Sequence, residues 1–217
     1  MTGWIISALL LAAATVHAAA EDSAITIGAV VSESGAHAAP AGEYRKGLVL
    51  WQDEINAAGG LLGRRVELRF KDDGSEAVRA GEAYAELIRD GAQVLIGPYG
   101  SAATLTAAAE AERARRVLLN AAGPSSEVHK RKPQYIFQTA TSYAAYADGA
   151  LWAAREAGVE SLYIVARDDA ASRDMAEATQ TQARALGFAT VTLEIYSGRT
   201  DDFLPQLYQA MKVNADG

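Results

Sequence analysis

The sequence of 217 residues contains no cysteine. This absence excludes disulfide bonds, thiolate zinc sites and catalytic thiols. Aromatic residues are scarce at 7%, but 50% apolar and 22% charged residues are typical of a globular protein and exclude a disordered or fibrous chain. Basic residues are in the minority, so the net charge is −7. Because an acidic protein does not attract a phosphate backbone, we expect no nucleic acid partner.

The first 20 residues contain no Asp, Glu, Lys or Arg. Within them, Ile5–Val16 form a largely apolar run that is too short to span a bilayer but suits the core of a secretory signal. Ala18 and Ala20 provide the small-x-small pattern of a cleavage site. We therefore predict a signal peptide over residues 1–20 and a mature protein in the periplasm, without a lipid anchor because no cysteine can carry one.

Beyond the predicted signal, short runs of β-branched residues alternate with segments of helical periodicity. Ile25–Val31 is typical of a buried parallel strand. One face of the following helix is predicted to carry Tyr44, Leu48, Trp51 and Ile55. Further strands are predicted at Val66–Phe70, Val94–Gly97, Val117–Leu119, Leu162–Val165 and Thr190–Ile195, with helices between them that include Glu76–Arg89 and Ala102–Ala114. This alternation predicts an α/β fold with a doubly wound parallel sheet.

The chain is predicted to form two lobes. We place the boundary near Phe137–Ser142, where an extended run ends and Ser142 is suited to cap a new helix. This gives an N-terminal ligand-binding lobe at residues 21–140 and a second lobe at 141–217. The second lobe contains only two full strand–helix units and would leave an unpaired strand edge, so we expect it to be truncated and the chain to be a fragment of a longer protein.

The loop after the third predicted strand is the first candidate site, because ligands of open parallel sheets gather at the carboxyl ends of strands. Tyr99, Gly100 and Ser101 lie in this loop and lead into a helix. The N–H groups and dipole at the start of that helix would attract a carboxylate or a phosphate. Taken alone, the loop is equally compatible with a plain turn in which Ser101 caps the helix.

The loop after the fourth predicted strand is the second candidate. Ala122 and Gly123 are small enough for a ligand to approach their backbone carbonyls, and Ser125 and Ser126 offer hydroxyls that could orient it. A loop of small residues is more often only a loop, but its position beside the Ser101 loop favours a role in binding.

Two acidic pairs, Asp72–Asp73 and Asp168–Asp169, also follow predicted strands. Paired carboxylates could hold Mg²⁺ or act as acid and base, but no third ligand or lysine at a suitable spacing supports this. We interpret them as solvated turns and helix N-caps. The sequence predicts no metal site at either pair.

The histidines are His17, His37 and His129, and they form neither a metal-binding spacing nor a recognisable catalytic triad. We interpret the basic cluster His129–Lys132 as a solvated turn. The sequence also lacks GxGxxG after its first strand and lacks GxxxxGK[ST] throughout, which disfavours dinucleotide-dependent enzymes and nucleotide hydrolases.

Several segments together resemble a known family. Asp53–Leu68 reads DEINAAGGLLGRRVEL, Asp72–Asp73 follows, and Ile96–Ser101 reads IGPYGS. They resemble the type I periplasmic binding proteins, and within these the branched-chain amino acid (leucine-type) substrate-binding components of ABC transporters. The resemblance implies a two-lobed fold that closes on a small ligand and delivers it to a membrane permease, without catalysing a reaction.

The resemblance also implies roles for particular residues. Ser101 would hold the ligand carboxylate, Ala122 would offer a backbone carbonyl, and Ser125 or Ser126 would supply a hydroxyl. The family normally has an aromatic residue in the second lobe where Ala171 stands here, which argues against an aliphatic amino acid as ligand. The expected ligand is therefore described only as an amino acid or a related small carboxylate or amide.

Two alternatives remain at this point. An extracytoplasmic ligand-sensing domain of a receptor or regulator would use the same fold, and a membrane-spanning or kinase segment downstream would favour it. A nucleotide- or flavin-binding enzyme of flavodoxin-like fold would use the Ser101 loop for phosphate. The leading interpretation predicts a monomer without cofactor or metal, whose partners are a small-molecule ligand and an ABC permease in the inner membrane.

Overall fold

The computed structural model of the protein describes residues 23–130, 132–213 and 215, so the predicted signal peptide lies outside the described residues. The chain divides into two compact units. The first unit extends to Ala121 and includes Gln134–Phe137, while the second contains Ala122–Pro133 and the chain from Gln138 onward. Among the described helices, none combines the length and the apolar character needed to cross a membrane.

The first unit is built around a five-stranded sheet with the strand order β2-β1-β3-β4-β5. Its strands are β1 (Ile25–Val31), β2 (Val66–Asp72), β3 (Val94–Ile96), β4 (Val117–Asn120) and β5 (Ile136–Gln138), and its helices are α1 (Ala38–Ala57), α2 (Ala77–Arg89) and α3 (Ser101–Ala114). β1 pairs in parallel with both β2 and β3, and β3 pairs in parallel with β4. The predicted α/β fold with a parallel sheet is confirmed.

Successive residues of β1 face opposite sides of the sheet, and both sides are covered. Ile25, Ile27 and Ala29 are buried in a cluster against which the predicted stripe of α1 packs, including Trp51. On the other side, a Cβ added to Gly28 would lie 3.1 Å from the Cβ of Leu87 in α2, so the helix approaches the strand closely there. This two-sided burial explains why β1 is apolar along nearly its whole length.

The second unit contains a parallel pair of strands, β6 and β7, joined in register from Ser161 opposite Thr190. Its elements are α4 (Glu127–Lys130), a 3₁₀ turn (Tyr143–Ala145), α5 (Asp148–Glu156), β6 (Ser161–Arg167), α6 (Ala170–Ala185), β7 (Thr190–Tyr196) and α7 (Leu204–Lys212). Ser142 caps the 3₁₀ turn as predicted, because its side chain accepts a hydrogen bond from the Ala144 N–H at 3.2 Å.

The core of the second unit is a small cluster of Leu151, Ala183 and Phe188. The predicted apolar face of the last helix is present, but it is open to solvent: Leu207 is 59% exposed and Met211 75% exposed. Side chains of this kind stabilise a fold only when they are removed from water. The helix α7 therefore contributes little burial to the second unit.

Candidate ligand-binding site

Two tyrosine hydroxyls, from the buried Tyr84 and the half-buried Tyr44, hold the end of β3, where the first candidate loop begins. The Tyr84 hydroxyl donates to the carbonyl of Ile96 at 2.5 Å and accepts the Val30 N–H at 3.2 Å. From the other side of the sheet, the Tyr44 hydroxyl donates to the carbonyl of Gly97 at 3.0 Å. Burial raises the pKa of Tyr44 to about 12 and that of Tyr84 well above its ordinary value, so both hydroxyls keep their protons.

Gly100 forms the turn from this loop into α3. Its φ of +95° is left-handed, a conformation that glycine adopts without steric strain. Gly100 therefore takes the N-cap position, and the alternative in which Ser101 caps the helix is wrong, since Ser101 is the first residue of α3. The Thr104 hydroxyl donates to the carbonyl of Gly100 at 2.9 Å, and this bond helps to fix the turn. Tyr99, Gly100 and Ser101 are all half-buried.

The carboxylates after β2 tie neighbouring loops together. Oδ1 of Asp73, which is fully buried, accepts hydrogen bonds from the Ser32 hydroxyl at 2.6 Å and the Ser75 N–H at 2.8 Å. Oδ1 of Asp72 accepts the N–H groups of Glu33 and Gly74, and these bonds lower the pKa of Asp72. Both act in turns, as predicted, but Asp73 is buried and the prediction that it is solvated is wrong. No group of three or more potential metal ligands occurs in the part of the chain that the structure describes.

The loop after β1 reaches the first candidate loop through His37. The His37 ring packs against Tyr99 with 5.6 Å between the ring centroids and an angle of 54° between the planes. Its Nε2 would lie 3.3 Å from a Cβ added to Gly100. No spacing in the sequence connects His37 with this loop. Its position after a neighbouring parallel strand was the only signal that could have done so.

The second candidate loop belongs to the second unit, where a carboxylate of α6 holds both serines. Asp174 accepts hydrogen bonds from the Ser125 hydroxyl at 3.1 Å, the Ser126 hydroxyl at 2.7 Å and the Ser126 N–H at 2.9 Å. Burial raises the pKa of Asp174, but these bonds and the charge of Lys130 outweigh it, and the net pKa is lowered. Ser125 and Gly123 are buried, while Ala122 is half-buried. Sequence reasoning missed Asp174, because no spacing connects it with the serines.

The basic cluster at the end of this loop is solvated only in part, since Lys130 and Lys132 are exposed, as predicted, whereas His129 is half-buried. Glu127–Lys130 form one turn of helix, α4. The His129 ring, half-buried, shares a hydrogen bond of 2.9 Å with the side chain of Gln138. A side-chain bond to a residue nine positions away is not visible in a run of basic residues.

Ala171 lies in the first turn of α6, which is capped by Asp169. The Asp169 side chain accepts the Ser172 N–H at 2.9 Å and the Ser172 hydroxyl at 2.8 Å. The bond from the Ser172 N–H, supported by Arg167, lowers the pKa of Asp169 to about 2. The interpretation of Asp168–Asp169 as a helix cap is confirmed for Asp169.

Next to this turn, the second unit has a cavity of about 500 Å³. Its lining includes Arg167, Ser172, Met175 and Tyr196. Four consecutive residues of β6, from Ile164 to Arg167, line it. Because successive strand residues face opposite sides, a cavity lined by four of them in a row lies beside the edge of the strand.

Comparisons with known proteins agree with this architecture. The family model described as periplasmic binding protein matches residues 24–217. The Leu/Ile/Val-binding protein homolog 8 of Brucella abortus is 32% identical over 115 residues, which are 53% of this chain and 28% of that relative.

Solved structures are similar over most of the described chain. An ABC transporter substrate-binding protein from Desulfitobacterium hafniense matches with a TM-score of 0.76 and 27% identity, over 90% of this chain and 57% of that one. A structure of an ABC transporter substrate-binding protein from the same organism in complex with Leu matches with a TM-score of 0.72 and 25% identity, over the same shares of both chains. This chain therefore spans little more than half of these structures and about a quarter of the Brucella relative. The resemblance indicated by the sequence motifs is confirmed, and the chain belongs to the periplasmic binding protein family.

Proposed function

We propose that the protein is the substrate-binding component of an ABC transporter, which takes up an amino acid or a related small carboxylate or amide and delivers it to a permease. The observation that carries the proposal is the loop from Ile96 to Ser101, which the hydroxyls of Tyr44 and Tyr84 and a glycine turn hold at the start of α3. A helix N-terminus presents unpaired N–H groups and positive potential to a carboxylate. The Brucella relative is named a Leu/Ile/Val-binding protein homolog, which supports an amino acid as ligand.

In the first unit, Ser101 is proposed to bind the ligand carboxylate, with Tyr99 and Gly100 in contact beside it. Because Ser101 is the first residue of α3, its hydroxyl lies at the helix N-terminus, where the helix dipole favours an anion. Charge-assisted hydrogen bonds of this kind are about twice as strong as neutral ones. Because hydrogen bonds of Tyr84 and Tyr44 already hold this loop, little conformational entropy is lost when a ligand binds.

In the second unit, Ala122, Gly123, Ser125 and Ala171 are proposed to contact the ligand. The carbonyls of the two small residues would accept hydrogen bonds from an ammonium or amide group. The Ser125 hydroxyl donates to Asp174, and its oxygen accepts the Glu127 N–H at 3.3 Å, so the fold fixes its position in the loop. Ala171 has a small side chain, which leaves room for the ligand. In this proposal the two compact units correspond to the two lobes.

Members of the family are binding proteins that work outside the cytoplasm. For this protein we propose export through the signal peptide at residues 1–20, a mature monomer in the periplasm without a lipid anchor, and no enzymatic activity. Expression of the full chain with an epitope tag, followed by separation of periplasm and cytoplasm, tests the export. A product shortened by about 20 residues in the periplasmic fraction is expected.

The test of binding is a thermal-shift screen of the full chain against L-leucine, L-isoleucine, L-phenylalanine, L-leucinamide, flavin mononucleotide and ATP. At least one amino acid or amide is expected to raise the melting temperature, because a ligand that binds only the folded state stabilises it. An unchanged melting temperature with the amino acids and the amide, together with a rise with flavin mononucleotide or ATP, would contradict the proposal and favour an enzyme.

Ser101→Ala tests the proposed contact, with Thr181→Ala as the matched control. Removing the Ser101 hydroxyl is expected to make the binding free energy of a carboxylate ligand less favourable by about 1–3 kcal/mol. This is the usual effect of leaving a charged partner short of a hydrogen bond. Thr181 is exposed, and its hydroxyl donates to a carbonyl of its own helix, so its removal should not change affinity. Calorimetric titration measures both. Equal affinities for Ser101→Ala and the unmodified protein would remove Ser101 from the site.

A further inference from the structure

His37 is held firmly at the start of α1. Its backbone N–H donates to the Ser75 hydroxyl at 3.0 Å, and that hydroxyl donates in turn to the carbonyl of Ser34 at 2.6 Å. The loop is tightly packed, since a Cβ added to Gly35 would approach the Ser75 side chain to 2.7 Å. The backbone of His37 therefore has a defined place relative to the ends of β1 and β2.

The ring of His37 extends from this place to the loop of Tyr99, Gly100 and Ser101. It packs against Tyr99, and Nε2 lies on the side of Gly100, where the glycine leaves space that a larger residue would fill. The side chain is half-buried. Within residues 23–130, 132–213 and 215, the ring packs on Tyr99 and makes no hydrogen bond. The nitrogen beside Gly100 thus has hydrogen-bonding capacity that the fold does not use.

The same contact brings together the starts of two helices. His37 is the N-cap residue of α1 and Gly100 is the N-cap residue of α3. Neither helix has an acidic residue in its first turn, so no carboxylate of these helices offsets the positive ends of their dipoles. An imidazole N–H placed between two helix N-termini suits a negatively charged oxygen.

We propose that His37 is a specificity-determining residue of the ligand site, and that its Nε2–H donates a hydrogen bond to the ligand carboxylate beside the Ser101 hydroxyl. The inference rests on the proposed function, because it takes the Ser101 loop as the place of the carboxylate. With Ser101 and His37 as two side-chain donors, the site favours a carboxylate, which accepts at both oxygens, over the matching amide, which has a single carbonyl oxygen.

The test compares L-leucine with L-leucinamide, which differ only in the group that His37 is proposed to recognise. Calorimetric titration of the full chain measures the Kd of both probes for the unmodified protein, His37→Ala and His37→Gln. His37→Ala is expected to raise the Kd for L-leucine about tenfold and the Kd for L-leucinamide less than about twofold. The Kd of His37→Gln for L-leucine is expected to lie between those of His37→Ala and the unmodified protein, because the glutamine amide can still donate a hydrogen bond.

Lys46→Ala is the matched control for the loss of a side-chain nitrogen donor. Lys46 belongs to the same helix, α1, but its side chain is 74% exposed and pairs with Glu43. Its removal should leave both Kd values unchanged, because exposed charges are screened. Melting temperatures of all variants close to that of the unmodified protein establish that each one is folded.

The outcomes separate the inference from the function on which it rests. If the unmodified protein binds neither probe, leucine binding and the role of His37 both fail. If it binds L-leucine and the Kd is the same for His37→Ala, or if both probes are weakened by the same factor, the Ser101 site stands and only the role of His37 is overturned.

Discussion

The two units of the chain use the same strand–helix alternation, but they bury it to different extents. In the first unit, five strands form one sheet, and residues such as Val30, Tyr84 and Leu95 are completely removed from water. In the second unit, the described strands form a two-stranded sheet, and the apolar side chains of α7 are largely exposed. A pair of strands covers little surface and depends strongly on what packs against it. An amphipathic pattern in the sequence therefore does not show how much apolar surface a unit buries.

The units also differ in how their loops are fixed. In the first unit, loops at the strand ends are tied by groups from several elements, including the buried Asp73 and the hydroxyls of Tyr44 and Tyr84. In the second unit, the loop with Ser125 and Ser126 is held by the half-exposed Asp174. We expect the binding loop of the first unit to be preformed. The loop of the second unit should lose its hydrogen bonds to Asp174 more easily.

The largest expected effect comes from removing a core side chain. Leu95→Ala, at a position with 0% exposure in β3, is expected to cost about 2–5 kcal/mol because it leaves a cavity. The matched change in the second unit, Leu207→Ala, removes the same atoms from a side chain that is 59% exposed and should cost less than about 0.5 kcal/mol. Urea unfolding followed by tryptophan fluorescence compares them. Equal losses would refute the difference in burial between the units.

A smaller effect is expected from the carboxylates that tie the loops. Asp73→Ala leaves the Ser32 hydroxyl and the Ser75 N–H without their acceptor and should cost about 2–4 kcal/mol. Asp174→Ala should cost about 1–2 kcal/mol, because its two partner groups on the half-buried Ser126 can bond to water instead. Asp73→Asn keeps an acceptor oxygen and serves as the control, so it should lose less than Asp73→Ala. The same urea titration measures all three. A greater loss for Asp174→Ala would reverse the comparison of the two units.

The smallest effect concerns the cap of α6 and depends on pH. Asp169→Ala is expected to cost about 1 kcal/mol at neutral pH, the usual cost of losing an N-cap. The pKa of Asp169 falls from 3.8 to about 2 in the folded state, so its contribution is present above 3.8 and is lost as the pH falls through about 2.

Melting curves between neutral pH and about pH 2 test this behaviour, because the variant and the unmodified protein should converge at the acid end. Asp53→Ala, at an exposed position on α1, is the control and should follow the unmodified protein throughout. A difference that stays constant over the whole range would show that the charge of Asp169 does not contribute to the cap.

The strands and helices were predictable because their signal is local. The apolar stripe of α1 and the runs of β1 and β7 appear in the sequence at the spacing that their burial or pairing requires. The observed ends of some elements differ by one or two residues from the predicted ones where a turn lies at the boundary. At the start of α3, for example, Gly100 is the N-cap residue, the position considered for Ser101. The fifth strand, β5, was predicted only as an extended run, since its place in the first sheet depends on pairing with β4, which no local pattern reveals.

The sequence by itself determined the α/β class, the family and the loops at the strand ends, because periodicity, turn residues and a long motif are all properties of neighbouring positions. Only the tertiary structure decided that His37 meets Tyr99 and Gly100, that Tyr84 holds Ile96, and that Asp174 takes the serine hydroxyls. These contacts join residues that are 12 to 63 positions apart. Strand order and helix packing determine these contacts. They bring distant segments together, and no pattern in the local sequence reveals which segments will meet.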